Sequence, residues 1–172
     1  MGGRIASYFM KTLLLCRHAK SSWADAALPD LDRPLNERGL KAAPFMGELM
    51  REKKLRPKVI LSSPALRAKA TAEILRRSGE LKGEFLIDHR IYEASPHTLS
   101  QVVRELDDEC NSAMLVGHNP GMEGFIRYLT GNIEPMPTAA LAIFDLNIEK
   151  WKEITDGCGK LRHLYRPKEE MS

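Results

Sequence analysis

One dipeptide and two single residues carry the chemistry that this sequence could perform. Arg17-His18 follows the apolar run Leu13-Leu14-Leu15-Cys16. Arg67 follows Val59-Ile60-Leu61-Ser62-Ser63-Pro64, and His118 follows Met114-Leu115-Val116-Gly117. Each apolar run has the length and continuity of a strand covered on both faces. If the three strands lie parallel and side by side, Arg17, His18, Arg67 and His118 meet at one edge of the sheet. Four cationic or potentially cationic groups in one place repel one another unless an anion sits between them. The pattern therefore points to a site for a phosphate-sized oxyanion, with His18 placed to attack it.

Arg67 is informative through its position. It falls in the first turn of an expected helix, where the positive end of the helix dipole disfavours a cation by ~0.3–1 kcal/mol. A bound oxyanion offsets that repulsion, and the planar guanidinium fork suits two-point contact with phosphate. Read singly, Arg67 is a surface arginine, His118 a hydrogen-bonded structural histidine, and Arg17-His18 a commonplace dipeptide. The conjunction carries the inference. His89 and His163 read as surface or structural residues, and His97 as a helix-start residue near Glu93. Cys16 reads as a core filler, because a thiol phosphatase needs an arginine six positions on, where this chain has Ser22. No H-E-x-x-H or Walker pattern is present.

The elements that must position these residues follow from capping and periodicity. Strands are expected at 11–16, 58–62, 84–88 and 113–116, with an antiparallel pair at 138–146 and 149–155 and an edge strand at 160–166. Residues 19–36 read as a long polar loop, a length that is often functional. Asn36 should cap a helix that Pro44 kinks or breaks. Ser63-Pro64 and Ser95-Pro96 read as cap and first helical residue, and Asn119-Pro120 opens a further helix that Gly131 ends. Leu99, Val102, Val103 and Leu106 mark residues 97–107 as an amphipathic helix. Strands alternating with helices predict an α/β fold: three layers, with a mostly parallel central sheet and helices on both faces. Sites in such sheets lie beyond the carboxyl ends of the strands.

The 172 residues suit one domain, expected at 10–166, with a flexible extension at 1–9 and a frayed tail at 167–172. Twenty-six basic against 23 acidic residues give a net charge of +3, with both signs dispersed. That balance argues against nucleic acid and fits an anionic small substrate or a phosphoprotein. Three scattered cysteines, Cys16, Cys110 and Cys158, argue against a disulfide framework or a zinc site and for a reducing compartment. No apolar run approaches the ~20 residues of a membrane span, and the first residues lack a secretory apolar region. A cytoplasmic protein without metal or cofactor is the expectation; oligomeric state is left open.

The stretches RHAKSSW, DRPLNERG, LSSPALRAKATAE, YEASP and VGHNPG resemble the histidine phosphatase superfamily, whose signature Arg-His-Gly reads here as Arg17-His18-Ala19. Within it the chain is similar to the short phosphohistidine phosphatases of the SixA type. The resemblance implies a phosphoglycerate-mutase-like fold without cap insertions, and hence an open site able to admit a protein surface. It implies that His18 is the nucleophile and passes through a phosphohistidine, that Arg17, Arg67 and His118 hold the phosphoryl oxygens, and that Glu93 stands where many relatives keep an acid/base carboxylate. Many relatives have an asparagine where this chain has Ala24, so Ser21 or a backbone amide would supply that contact. The expected activity is metal-independent removal of phosphate from phosphohistidine in a protein. The alternatives are a small-molecule phosphomonoesterase of the same mechanism, acting on a phosphorylated metabolite, and an inactive phospho-ligand binding module.

Overall fold

The computed structural model describes residues 11–172; the expected extension at 1–9 lies outside the described residues. Six strands form one sheet in the order β3-β2-β4-β1-β5-β6. They are β1 (Lys11–Arg17), β2 (Val59–Ser62), β3 (Glu84–Ile87), β4 (Ser112–Gly117), β5 (Leu141–Leu146) and β6 (Gly159–Tyr165). The pairings β3–β2, β2–β4 and β4–β1 are parallel, and β5 is antiparallel to both β1 and β6. The three strands that precede the cationic motifs, β2, β4 and β1, are therefore neighbours with their carboxyl ends at one edge.

The apolar runs are continuous because this sheet is covered twice. Leu13 and Leu15 point into one core cluster, Leu14 and Cys16 into the other, as alternation along a strand requires. Helices α1 (Glu37–Glu52) and α2 (Leu66–Ser78) cover the second face through Ala43, Met46, Met50, Ala68, Ala72 and Leu75. Helices α3 (Pro96–Arg104) and α4 (Gly121–Thr130) cover the first through Leu99, Val102, Val103, Phe125 and Ile126. The result is the three-layer α/β arrangement expected from the sequence.

Four local expectations are corrected. Residues 149–155 do not pair with β5. Trp151 is fully buried, its backbone N–H donates to Asp108 Oδ1 (2.8 Å) and its indole N–H to the Cys110 carbonyl (2.7 Å). That anchor winds Trp151–Glu153 into a 3-10 turn, and β6 takes the place beside β5. Pro44 does not interrupt α1, where Ala43 and Met46 beside it are locked in the core. Ser63 does not cap α2, which starts two residues beyond Pro64. The expected frayed tail winds into a helical turn, α5 (Pro167–Glu170), with Pro167 buried. Three other caps form as read: Asn36 accepts from Gly39 N–H, Ser95 accepts from Thr98 N–H, and Gly131 ends α4 in the left-handed conformation; at Asn119-Pro120 the helix starts one residue later, at Gly121, with no side-chain cap. Among the described residues no helix is long and apolar enough to cross a membrane.

Candidate active site

The end of β1 is held on three sides. His18 N–H donates to the Gly117 carbonyl (3.0 Å), and Ala139 N–H is shared between the Arg17 and His18 carbonyls, 3.0 Å from each. Ala19 N–H donates to Thr71 Oγ1 (2.9 Å), whose own hydroxyl donates to the Arg67 carbonyl (2.7 Å). Thr71 thus ties the residue after His18 to the first turn of α2, which carries Arg67. The His18 side chain is buried, and its Nδ1 lies 2.7 Å from the Ala19 carbonyl. A carbonyl only accepts, so Nδ1 holds the proton and the lone pair is on Nε2.

The four residues singled out in the sequence converge. The His18 and His118 rings are 5.1 Å apart, and Arg17 and Arg67 both act electrostatically on both imidazoles. Burial first, and the neighbouring arginines next, push His18 down to about 4; burial, His18 and Arg67 push His118 down to about 3. Both rings are accordingly neutral at pH 7, and the fixed charge comes from the guanidinium groups. A dianion placed among them acts in the opposite direction and favours protonation of His118. Four buried side-chain N or O atoms among the described residues have no hydrogen-bond partner, and three of them are Arg17 Nε, Arg67 Nε and His118 Nδ1. Buried polar groups are normally paired; a phosphoryl oxygen would satisfy the two arginine Nε–H groups, and His118 Nδ1 when it carries a proton.

Ser63, released from capping, has its hydroxyl 2.8 Å from His118 Nε2, which fixes the second imidazole on the end of β2. Arg17 is held by donating from Nη1 to the Met136 carbonyl (3.0 Å). The Asn119 amide donates to the same carbonyl and to Glu123 (3.0 Å each), and Glu123 also accepts from Met136 N–H (2.8 Å).

The loop at 19–36 supplies residues that motif reading missed. It is closed by a bridge between Ser21 and Leu35, and a 3-10 turn at Asp30–Asp32 brings Asp30 over the site. Arg67 donates from Nη1 to the Asp30 carbonyl (2.7 Å) and from Nη2 to Asp30 Oδ2 (2.9 Å). Tyr92 Oη donates to the same oxygen (2.6 Å), and Arg33 Nε donates to Asp30 Oδ1 (3.1 Å). The Tyr92 phenol foremost, then Arg67 and Arg33, hold the Asp30 carboxyl well below the usual carboxylate range, while the carboxylate pushes Tyr92 up to about 12. This clamp leaves the Nε edge of Arg67 for an anion. Arg33 is itself buried, stacks on Trp23 at 3.6 Å and is near enough to lower the affinity of His18 for a proton.

The remaining expected site residues are placed differently. Ser21 is buried, and its hydroxyl accepts from Arg33 Nη1 (2.8 Å), so it supports Arg33. Glu93 is exposed, adopts a left-handed backbone (φ 55°), and lines a cleft of about 710 Å³ together with Arg67, Tyr92 and His118. Cys16 is buried and its thiol is pushed up to about 12, as a core residue. Among the described residues no group of three or more His, Cys, Asp or Glu side chains has the arrangement of a metal site.

Comparison with known proteins agrees with this geometry. Residues 13–96 match the model of the histidine phosphatase superfamily, branch 1. An uncharacterised protein of Mycobacterium leprae is 31% identical over 119 residues, covering 67% of this chain and 71% of that protein. The structure of the SixA protein of Agrobacterium tumefaciens, a candidate phosphohistidine phosphatase, superposes with a TM-score of 0.80 at 29% identity, over 91% of this chain and 98% of that one. The protein histidine phosphatase SixA complexed with tungstate has the same fold, with a TM-score of 0.79 at 23% identity over 92% and 98% of the two chains. With Arg17-His18 at the head of a parallel strand and Arg67 and His118 closing on it, the chain belongs to the histidine phosphatase superfamily and is a SixA-like phosphatase.

Proposed function

We propose that this phosphatase removes phosphate from phosphohistidine in a partner protein, through a covalent phosphohistidine on His18 and without a metal ion. The observation that carries the reading is the buried His18 ring, neutral and fixed by Nδ1 on the Ala19 carbonyl. In the first step the Nε2 lone pair attacks phosphorus, the P–N bond to the substrate imidazole breaks, and that imidazole leaves with the bonding pair and takes a proton from solvent. In the second step water attacks phosphorus, the P–Nε2 bond breaks, and inorganic phosphate departs with His18 restored. Arg17, Arg67 and His118 spread over the phosphoryl oxygens, and preorganised donors of this kind supply most of the stabilisation that phosphoryl transfer needs. An imidazole leaves more readily than an alkoxide, so little acid catalysis is required.

A second reading, hydrolysis of a small phosphate ester by the same route, is favoured by Glu93 in the cleft. Glu93 would there protonate the leaving oxygen and afterwards take a proton from water, a role worth about 10²–10⁴ in rate. Turnover of a phosphohistidine protein against a panel of phosphorylated metabolites separates the two. The proposal predicts the higher kcat/KM for phosphohistidine, and predicts that Glu93→Gln slows phosphoserine-type esters far more than phosphohistidine. Preference for a metabolite, or equal slowing of both substrate types, overturns it.

A further inference from the structure

A second cavity opens at the same end of the sheet, on the other side of β1. The cleft with Arg67 and His118 lies beyond the ends of β2 and β4. The second cavity, of about 690 Å³, is bounded by Lys20 just after β1, Thr138 just before β5, and Arg166, Lys168 and Glu169 just after β6; Arg38 and Lys41 in the first turns of α1 also line it. The register puts these strand ends level, since Cys16 is opposite Leu141 and Leu141 is opposite Tyr165. Strand β1, which His18 follows, therefore divides the two cavities. Residues 137–139 run from the wall of the second to the shared hydrogen bond on the Arg17 and His18 carbonyls.

Five basic side chains line this cavity against one acidic side chain, Glu169. Of its basic residues only Arg166 is ion-paired, with Glu134 (3.3 Å) and Glu169 (3.7 Å). Lys20, Arg38, Lys41 and Lys168 have no carboxylate partner among the described residues, and residues 1–10 contain no Asp or Glu. Four unpaired cations in one groove exceed the net charge of the whole chain, +3. All four are exposed, on long stems along the groove rather than fixed in a pocket. That distribution suits several carboxylates spread over a segment, not one clamped phosphate.

We propose that this groove docks an acidic segment of the phosphorylated protein while the neighbouring phosphohistidine is presented to His18. The inference rests on the substrate class argued in the preceding subsection. It is tested with synthetic phosphohistidine peptides of one core sequence flanked either by glutamates or by serines, a matching phosphoserine pair, and para-nitrophenyl phosphate. The glutamate-flanked peptide should show a kcat/KM about tenfold higher at low salt, and the ratio should fall as salt screens the groove. Lys41→Glu with Lys168→Glu should abolish the preference and leave para-nitrophenyl phosphate turnover unchanged. No preference in the native protein, a preference that survives the double charge reversal, or an equal loss on para-nitrophenyl phosphate overturns the groove. Hydrolysis of the phosphoserine pair alone overturns the substrate class, and the flank ratio in that pair then decides the groove by itself. Turnover of para-nitrophenyl phosphate but of no peptide overturns both.

Discussion

Asp30 carries a full negative charge within hydrogen-bonding distance of the arginine that should hold a phosphoryl group, and this is the most consequential arrangement at the scale of single residues. Read as a clamp, Asp30 takes an Nη1 hydrogen of Arg67 on its backbone carbonyl and an Nη2 hydrogen on its carboxylate, and leaves the Nε edge turned to the site. Read as a competitor, it would weaken substrate binding. The two readings differ in sign. The clamp predicts that Asp30→Ala lowers kcat/KM by about 10²-fold, the cost of a small misplacement of a catalytic cation, and that Asp30→Asn, which keeps an acceptor, recovers part of the loss. Steady-state kinetics on para-nitrophenyl phosphate decide it, and a faster Asp30→Ala enzyme contradicts the clamp. Arg17, His18, Arg67 and His118 were legible in the sequence because each ends an apolar run or starts a helix, and periodicity fixes where such runs end. Asp30, Arg33 and Tyr92 were not, because the course of the loop at 19–36 follows from side-chain pairs within it and not from any repeat. Ser63 was misread for a related reason: its hydroxyl serves as a cap in the sequence and as a support for His118 in the fold.

At the scale of elements, the site depends on how closely α1 approaches the loop beyond β1. Gly39, in the first turn of α1, sits so near the Lys20 backbone that an added Cβ would lie 2.2 Å from the Lys20 carbonyl oxygen. Neither partner can swing aside, since the oxygen belongs to the main chain and a Cβ is fixed rigidly to it. Gly39→Ala should therefore destabilise the fold by about 1–3 kcal/mol and, by displacing the segment that follows His18, lower kcat more than it raises KM. Urea unfolding and kinetics on the same preparation check this; native stability with native kcat would show that the approach is dispensable. The strands of the parallel part and the two helical layers were readable from apolar runs, cap signals and the alternation of strand with helix, whereas the order of the strands in the sheet comes from the structure. The partner of β5 was not readable, because the residues around Trp151 have strand-like composition and are drawn off the sheet edge by one buried indole.

For the whole molecule, the two buried imidazoles link stability to pH. Both titrate at 6.5 when unfolded and are lowered in the folded state, His18 to about 4 and His118 to about 3. Between those limits the unfolded chain binds more protons, so stability is complete above pH 6.5 and falls as the pH drops towards 4. For His18 the loss at pH 4 is on the order of 3 kcal/mol. His18→Asn should flatten the dependence of unfolding free energy on pH across this window, followed by circular dichroism in urea at fixed salt. An unchanged slope would show that the ring is not held neutral. Asp30 is lowered as well, but its contribution is lost only at more acid pH, below the ordinary carboxylate range.

The central claim is that the phosphoryl group passes through one nitrogen, and rapid acid-free quenching of the enzyme with a radiolabelled phosphohistidine substrate tests it most directly. The account predicts a label on the protein that survives base, is lost in acid, maps to the peptide containing His18, and is absent from a folded His18→Ala variant. Label on any other residue, or full turnover by that variant, would contradict it.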